Sequence, residues 1–223
     1  MQSLREFHYR AHFGARSLLP GAHRARVPGA GVDIGASVPL IRARDWRRLD
    51  LHSALRDPFG QWWAHEYRQR SSLQAMLLVD VSASMQAGDA QHTLVVSFAQ
   101  ALRYSALRRG DAFGMVGFAH ELPTALHAPP ARSRQAGMAA LAHLAAASFG
   151  GRDARALVAA AALMPQQPAL VFLLSDFCFD AALLDEVVLQ RAEVAVEARQ
   201  RDLDGLARVL VVADERRTLR LDV

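Results

Sequence analysis

The sequence predicts an α/β fold: a doubly wound, mostly parallel sheet with helices on both faces, preceded by an irregular N-terminal appendage. Three observations carry this expectation. Ala75 to Val79 and Ala169 to Leu174 are short, uninterrupted apolar runs, the pattern of strands buried on both faces of a sheet. Each run delivers a carboxylate at its carboxyl end, Asp80 after the first and Asp176, behind Ser175, after the second. From Gln74 onward, strand-like segments alternate with segments of helical apolar spacing, as βαβ units require.

Taken in order, residues 1 to about 40 are rich in Gly, Pro and Arg with little periodicity, and read as extended, turn-rich chain that packs on a domain. Ile41 to Arg70 is denser in aromatics (Trp46, Phe59, Trp62, Trp63, Tyr67), which at this density are expected to bury against the main domain. Gln61 to Gln69 reads as either a strand or a short helix. These segments make up an appendage over residues 1–71, with the main domain over 72–223. After the first apolar run, Asp89 stands as a cap for a helix whose positions Leu94, Val95, Phe98, Leu102 and Ala106 keep helical spacing. Ala112 to Ala119 is a strand, with Glu121 to His127 expected to pair with it as a hairpin. Arg132 to Ala147 carries Met138, Leu141 and Leu144 at helical spacing. Gly150-Gly151-Arg152-Asp153 is a tight loop with Asp153 placed as a cap, followed by a helix from Ala154 to Met164 that stops at Pro165. Asp180 to Arg191 reads as a helix and Glu193 to Ala198 as a strand. Arg208 to Ala213 and Thr218 to Asp222 read as a terminal hairpin.

Composition bounds the function. The chain has 223 residues, enough for one domain of ordinary size plus an appendage, and its 52% hydrophobic content excludes global disorder. One cysteine, Cys178, permits no internal disulfide and fits a reducing compartment. Between Phe177 and Phe179 it reads as a small buried hydrophobe. No run approaches the roughly 18 apolar residues of a membrane span, and Met1 to Arg10 has no apolar core of the kind a secretory signal needs. A cytoplasmic location is expected. All 26 basic residues are arginine, yet the formal charge is only +4, so the pI of about 10.1 mainly reflects arginine's high pKa. Arginines crowd the chain before Arg70, a distribution suited to phosphates or an acidic protein surface. No stacking array of aromatics or zinc spacing accompanies them, which argues against nucleic acid as the partner.

The chemistry concentrates at Asp80-Val81-Ser82-Ala83-Ser84. Ligands of such sheets bind outside the carboxyl ends of the strands. A carboxylate and two hydroxyls leaving one strand tip there are hard oxygen ligands for a cation such as Mg2+. Asp176 brings a second carboxylate to the same edge.

These motifs resemble the von Willebrand factor A domain, in which Asp-x-Ser-x-Ser forms a metal-ion-dependent adhesion site. The closest likeness is to the bacterial family called domain of unknown function 58, which carries an Asp-x-Arg-Arg-Ile-Asp-Trp signature shortly before the metal loop. The corresponding run here is Asp45-Trp46-Arg47-Arg48-Leu49-Asp50, with Leu51 at the signature's tryptophan and Arg56 following. The resemblance spans Arg42 to Val223. It implies a six-stranded Rossmann-like sheet, a Mg2+ site at its top edge, and partnership with MoxR-type AAA+ ATPases that mature or remodel other complexes. Asp80, Ser82, Ser84 and Asp176 match the metal positions. The family's middle ligand, a threonine after two glycines, is Arg152 here. Arginine offers only donors and a permanent positive charge, so it cannot ligate Mg2+. Two readings of it stand open: the guanidinium neutralises the two carboxylates in place of metal, or Asp153 or water takes threonine's place and metal binds more weakly.

An interaction module follows, in which an acidic residue of a partner protein completes the coordination of Mg2+. Its variant is a degenerate site that binds partners without metal. The reading of another class is a Mg2+-dependent phosphohydrolase of the haloacid dehalogenase type. That chemistry needs a second acid two residues after the nucleophile, where this chain has Ser82. No Gly-x-Ser-x-Gly elbow and no His-Glu-x-x-His pair is present, and the absence of lysine rules out a Gly-x-x-x-x-Gly-Lys phosphate loop. The chain is therefore expected not to be an enzyme.

Overall fold

A computed structural model of the chain describes residues 8–9, 20–43, 45–86, 89–151, 153–165, 169–190, 196–203, 207–214 and 221–222. Their elements run β1 (His8–Tyr9), β2 (Pro20–Pro39), α1 (Leu51–Arg56), β3 (Trp63–Ser71), β4 (Gln74–Asp80), α2 (Asp89–Arg108), β5 (Ala112–Phe118), β6 (His127–Ala131), α3 (Met138–Ala146), α4 (Leu157–Ala162), β7 (Ala169–Ser175), α5 (Ala181–Gln190), β8 (Val196–Leu203), β9 (Ala207–Asp214) and β10 (Leu221–Asp222). The chain divides into two compact units, residues 14–72 and residues 1–13 with 73–223.

The larger unit is built on a six-stranded sheet in the order β6-β5-β4-β7-β9-β8. Its centre, β5-β4-β7, is parallel, and these are the fully buried apolar runs of the sequence. β6 and β9 run antiparallel to their neighbours, and β8 antiparallel to β9, so β8 points the same way as β4. The sheet is thus mostly parallel by strand direction. Met76, Leu78, Val116, Phe118, Val171 and Leu173 pack on one face with Leu157, Ala160 and Ala161 of α4, and with Leu183, Leu184 and Val187 of α5. Phe98 of α2 meets Phe172 of β7 edge-on, ring centroids 6.5 Å apart, on the other face. Alternate residues of each strand point to opposite faces, so both faces must be covered by helices.

Two pairings differ from those the sequence predicts. The partner of β5 begins at His127, and Thr124–Leu126 forms a turn of 3-10 helix instead of strand. Leu126 there fills the space over Gly117, where an added Cβ would stand 2.6 Å from its Cδ1. β6 carries Pro129 and Pro130, which an edge strand tolerates because one row of its amides needs no ladder partner. The expected terminal hairpin is replaced by β8-β9, closed with Leu203 opposite Ala207, while Leu221–Asp222 pairs with His8–Tyr9. Inserted between β7 and β8, β9 has partners for both rows of its backbone groups, which a two-stranded hairpin could not provide.

Asp111, at the entry to β5, ties this unit together. Its Oδ1 accepts from the Leu73 amide at 2.8 Å and its Oδ2 from the Tyr9 hydroxyl at 2.6 Å. The Tyr9 ring is fully buried against Phe172, the Arg109 guanidinium lies 5.0 Å over it, and Arg109 also donates to the Tyr9 carbonyl. Burial, followed by the Asp111 charge, pushes the Tyr9 phenol well above its ordinary range, so it remains a donor.

In the smaller unit, β2 and β3 form a long antiparallel hairpin with several register shifts. Pro28 lies at two of these irregularities, where a residue without an amide proton cannot continue the ladder. The extended N-terminal chain is therefore paired, and Trp63–Ser71 is a strand, not a helix. Asp50 caps α1, accepting from the Ser53 amide at 3.0 Å, the Ser53 hydroxyl at 2.6 Å and the Ser37 hydroxyl at 2.7 Å. Those donors, Ser37 foremost, hold its carboxyl well below the usual range although it is buried. The aromatics do not bury as a set: Trp46, Phe59 and Trp62 are exposed, and Trp63 and Tyr67 half-buried. A hairpin and one six-residue helix offer too little surface to cover them all. Among the described residues, no helix is long and apolar enough to cross a membrane.

Removing one hydroxyl tests the Asp111 tie. Tyr9→Phe keeps the ring packing but deletes a buried hydrogen bond to a carboxylate. It is expected to lower the stability of the larger unit by about 1.5–3 kcal/mol in urea unfolding. A change below about 0.5 kcal/mol would show that the hydroxyl contributes little.

Candidate functional site

The site forms where β4 and β7 end side by side. In their parallel register Val79 lies opposite Leu174, so the next residues, Asp80 and Ser175, meet at the carboxyl edge. Asp80 is buried, and both its oxygens accept: Oδ2 from the Ser175 hydroxyl at 2.6 Å, Oδ1 from the Ser82 amide at 2.9 Å. The Ser82 and Ser84 hydroxyl oxygens lie 3.0 Å apart. Ala83–Gln86 winds into a turn of 3-10 helix anchored by buried Met85, which turns this serine loop back over the strand end.

The glycine loop is fastened to the serine loop by backbone bonds. The Gly150 amide donates to the Val81 carbonyl at 2.9 Å, and the Ala83 amide to the Gly151 carbonyl at 3.0 Å. Gly151 has φ +97°, a left-handed conformation that a side chain would strain. Asp80, Ser82, Ser84 and Gly151 are thus held by contacts reaching back to strands β4 and β5, since the Val81 amide also donates to the Phe118 carbonyl at 2.9 Å.

Asp176 is half-buried beyond Ser175, and its Oδ1 accepts from the Cys178 amide at 3.0 Å. Burial pushes the Asp80 carboxyl up, the hydroxyls of Ser175 and Ser82 pull it back, and the neighbouring negative charge of Asp176 adds to the upward push. The Ser175 hydroxyl also accepts from the Phe177 amide at 2.9 Å. Phe177 sits at φ 57°, uncommon for a bulky residue, with its ring 5.8 Å from that of Phe179. This alternation turns Cys178 outward, so the cysteine is exposed and not the buried hydrophobe its neighbours imply.

Arg152 falls outside the described residues. Asp153 does not cap α4, whose N-cap is Ala156 with no side-chain bond. Its Oδ1 lies 3.0 Å from His120 Nδ1, and its Oδ2 bridges Arg155 Nε at 3.0 Å. The His120 hydrogen bond, more than any other contact, holds the Asp153 carboxyl below its ordinary range. Two residues at this edge escape a reading of the sequence alone: Ser175, which holds Asp80 directly, and His120, which holds Asp153. Ser175 carried a signal, as a hydroxyl closing an otherwise apolar strand. His120 carried none beyond its place two residues after β5.

The donor set fits a hard divalent cation. Among the described residues no group of three or more His, Cys, Asp or Glu side chains could hold a metal, so hydroxyl oxygens of Ser82 and Ser84 would have to complete the ligands of Asp80 and Asp176. Oxygen-only sets with exchangeable waters are what Mg2+ accepts. A cation here would also offset the repulsion between the two carboxylates.

A family described as "Protein of unknown function DUF58" matches residues 42–216. No curated protein and no solved structure matches the chain.

The raised pKa of Asp80 has a signed consequence. A carboxyl whose folded pKa lies above its unfolded value favours folding most below the ordinary carboxylate range, and that contribution is lost as pH rises through the folded pKa. Without divalent cations, Asp80→Asn is expected to resist urea at pH 7 at least as well as wild type. Its amide still accepts from Ser82 and can donate to Ser175. The advantage should shrink as pH falls into the ordinary carboxylate range and Asp80 takes up its proton. A variant less stable than wild type at pH 7 in chelator would show that the ionised carboxylate is not under strain.

Proposed function

We propose that this chain, which belongs to the DUF58 family of proteins of unknown function, is a non-catalytic protein–protein interaction module with a metal-ion-dependent adhesion-type site in a von Willebrand factor A-like domain. One observation carries the reading. Asp80, buried at the end of the central strand, accepts from the Ser175 hydroxyl and the Ser82 amide, and the Ser82 and Ser84 hydroxyls lie 3.0 Å apart on the loop that follows, at the edge where α/β sheets bind ligands. Mg2+ held by Asp80, Ser82, Ser84 and Asp176 keeps a coordination position open to an acidic residue of a partner. The partner class that the family resemblance brings is a MoxR-type AAA+ ATPase, with the pair maturing or remodelling another complex in the cytoplasm. Against hydrolysis stands Ser82, at the position where a phosphohydrolase needs its second acid.

The first test is calorimetric titration of Mg2+. Wild type should bind, and Asp80→Ala and Asp176→Asn should each bind about tenfold more weakly or worse. Unchanged affinity in both would leave a metal-free interaction domain. Arg152→Thr, which exchanges a cation for a neutral oxygen, should bind Mg2+ more tightly than wild type, and equal affinities would show that Arg152 does not compete with the metal. The second test is co-elution with the MoxR-type ATPase of the same host in Mg2+, lost on adding chelator. Phosphatase turnover that disappears in Asp80→Ala would refute the non-catalytic reading.

A further inference from the structure

The smaller unit carries an exposed apolar surface that neither its own fold nor the proposed site uses. Ile41, Leu55 and Phe59 are 94%, 86% and 87% exposed, and Trp46, Leu51 and Trp62 are exposed with them. All six fall within the 22 residues from 41 to 62. The large hydrophobics exposed in the larger unit, Tyr104, Met138 and Leu163, are far apart in sequence. Scattered apolar residues are ordinary on a protein surface, whereas a local concentration marks a contact surface.

Hydrogen bonds hang these residues on the start of β3. The Leu40 amide donates to the Trp62 carbonyl at 2.7 Å, which sets the turn bearing Ile41 beside Trp62. The Asp50 amide donates to the Trp63 carbonyl at 2.7 Å, and the His65 amide to the Arg48 carbonyl at 2.8 Å, which fixes the turn bearing Trp46. The Trp63 indole donates to Asp57 Oδ2 at 2.7 Å and the Phe59 amide to Asp57 Oδ1 at 2.7 Å, which fixes the turn bearing Phe59. Leu51 and Leu55, four residues apart on α1, share one helix face.

Charge over residues 41–62 is unbalanced, five arginines against three aspartates. Arg42, Arg47 and Arg56 are exposed, and the Arg47 guanidinium lies 5.7 Å from the centre of the Trp46 ring. Of the three acids only Asp50 is buried, on Ser37 and Ser53, while Asp45 pairs with Arg48 at 3.3 Å and half-buried Asp57 accepts from the Trp63 indole. The complement of this surface is therefore apolar within and anionic at its rim. Tryptophan, phenylalanine and arginine are the residues that anchor at headgroup depth, and arginine is drawn to anionic lipid. A protein partner would need a separate pocket for each protruding tip, whereas a fluid bilayer accepts tips at any spacing.

We propose that residues 41–62 form a peripheral docking surface for an anionic bilayer, with the aromatic and aliphatic tips in the interfacial layer and Arg42, Arg47 and Arg56 among the headgroups.

The chain contains its own reporter, because its three tryptophans, Trp46, Trp62 and Trp63, all lie in this unit. The full chain is mixed, in chelator, with unilamellar vesicles of phosphatidylglycerol and phosphatidylcholine or of phosphatidylcholine alone. Co-sedimentation with the anionic vesicles and a blue shift of the tryptophan emission are expected. Leu55→Ser with Phe59→Ser, and separately Arg47→Glu with Arg56→Glu, should each weaken partitioning about tenfold or more. Met138→Ser with Leu163→Ser, on the larger unit, should leave it unchanged. All substituted positions are exposed, so far-UV circular dichroism and the melting temperature should match wild type and confirm folding. Wild-type chain that stays in the supernatant with anionic vesicles overturns the proposal, leaving this surface to a protein partner. Equal partitioning of wild type and both patch variants overturns it as well.

Discussion

A carboxylate at the buried end of the central strand is the constraint around which the larger unit is arranged. Ionised Asp80 in that position would be costly without donors. The structure supplies them from both sides: the Ser82 amide from the loop that follows it, and the Ser175 hydroxyl from the neighbouring strand. The serine loop is in turn tied to the glycine loop, and that loop needs a left-handed residue at Gly151 to make its bond to Ala83. Disturbing any of these would alter the solvation of one carboxyl group. The arrangement offsets burial only in part, since Asp80 still titrates above its ordinary range.

The sequence reveals those parts of the fold whose pattern has a single cause. β4, β5 and β7 are buried on both faces, so their apolar runs could belong to little else, and the carboxylates closing β4 and following β7 fall at the carboxyl ends of parallel strands. The misplaced pairings have the opposite character. β9 alternates as a hairpin strand would, yet it runs between two partners, and alternation says nothing about which strands lie beside it. β2 is a strand assembled with prolines and register shifts, whose composition reads as turns. At the site, Asp80, Ser82 and Ser84 share one loop and could be read together, and Asp176 followed from the second strand. Ser175 could not be assigned, because its role depends on the register between two strands 95 residues apart. Asp153 was misplaced as a cap because its partner, His120, comes from another loop.

The smaller unit follows a different economy of polar groups. Three aspartates in thirteen residues would ordinarily mark a solvated acidic stretch. Here each has a partner within the unit, and Asp50 alone holds two serines and the start of α1. The exposed aromatics, which the sequence alone would bury, belong to a unit too small to cover them.

Register joins the core to the chemistry. Because side chains alternate with a period of two, sliding β7 by one residue along β4 would bring Leu174 or Asp176 opposite Asp80 and turn every buried residue of β7 to the other face. Met76 and Leu78 on β4 pack with Val171 and Leu173 on β7 and with α4 on the same face, so a slip would expel a whole apolar layer. That loss far exceeds any single hydrogen bond at the strand ends. Placement of the Ser175 hydroxyl within 2.6 Å of Asp80 is thus enforced from the middle of the sheet, and the loops above it only complete a geometry the core has already set.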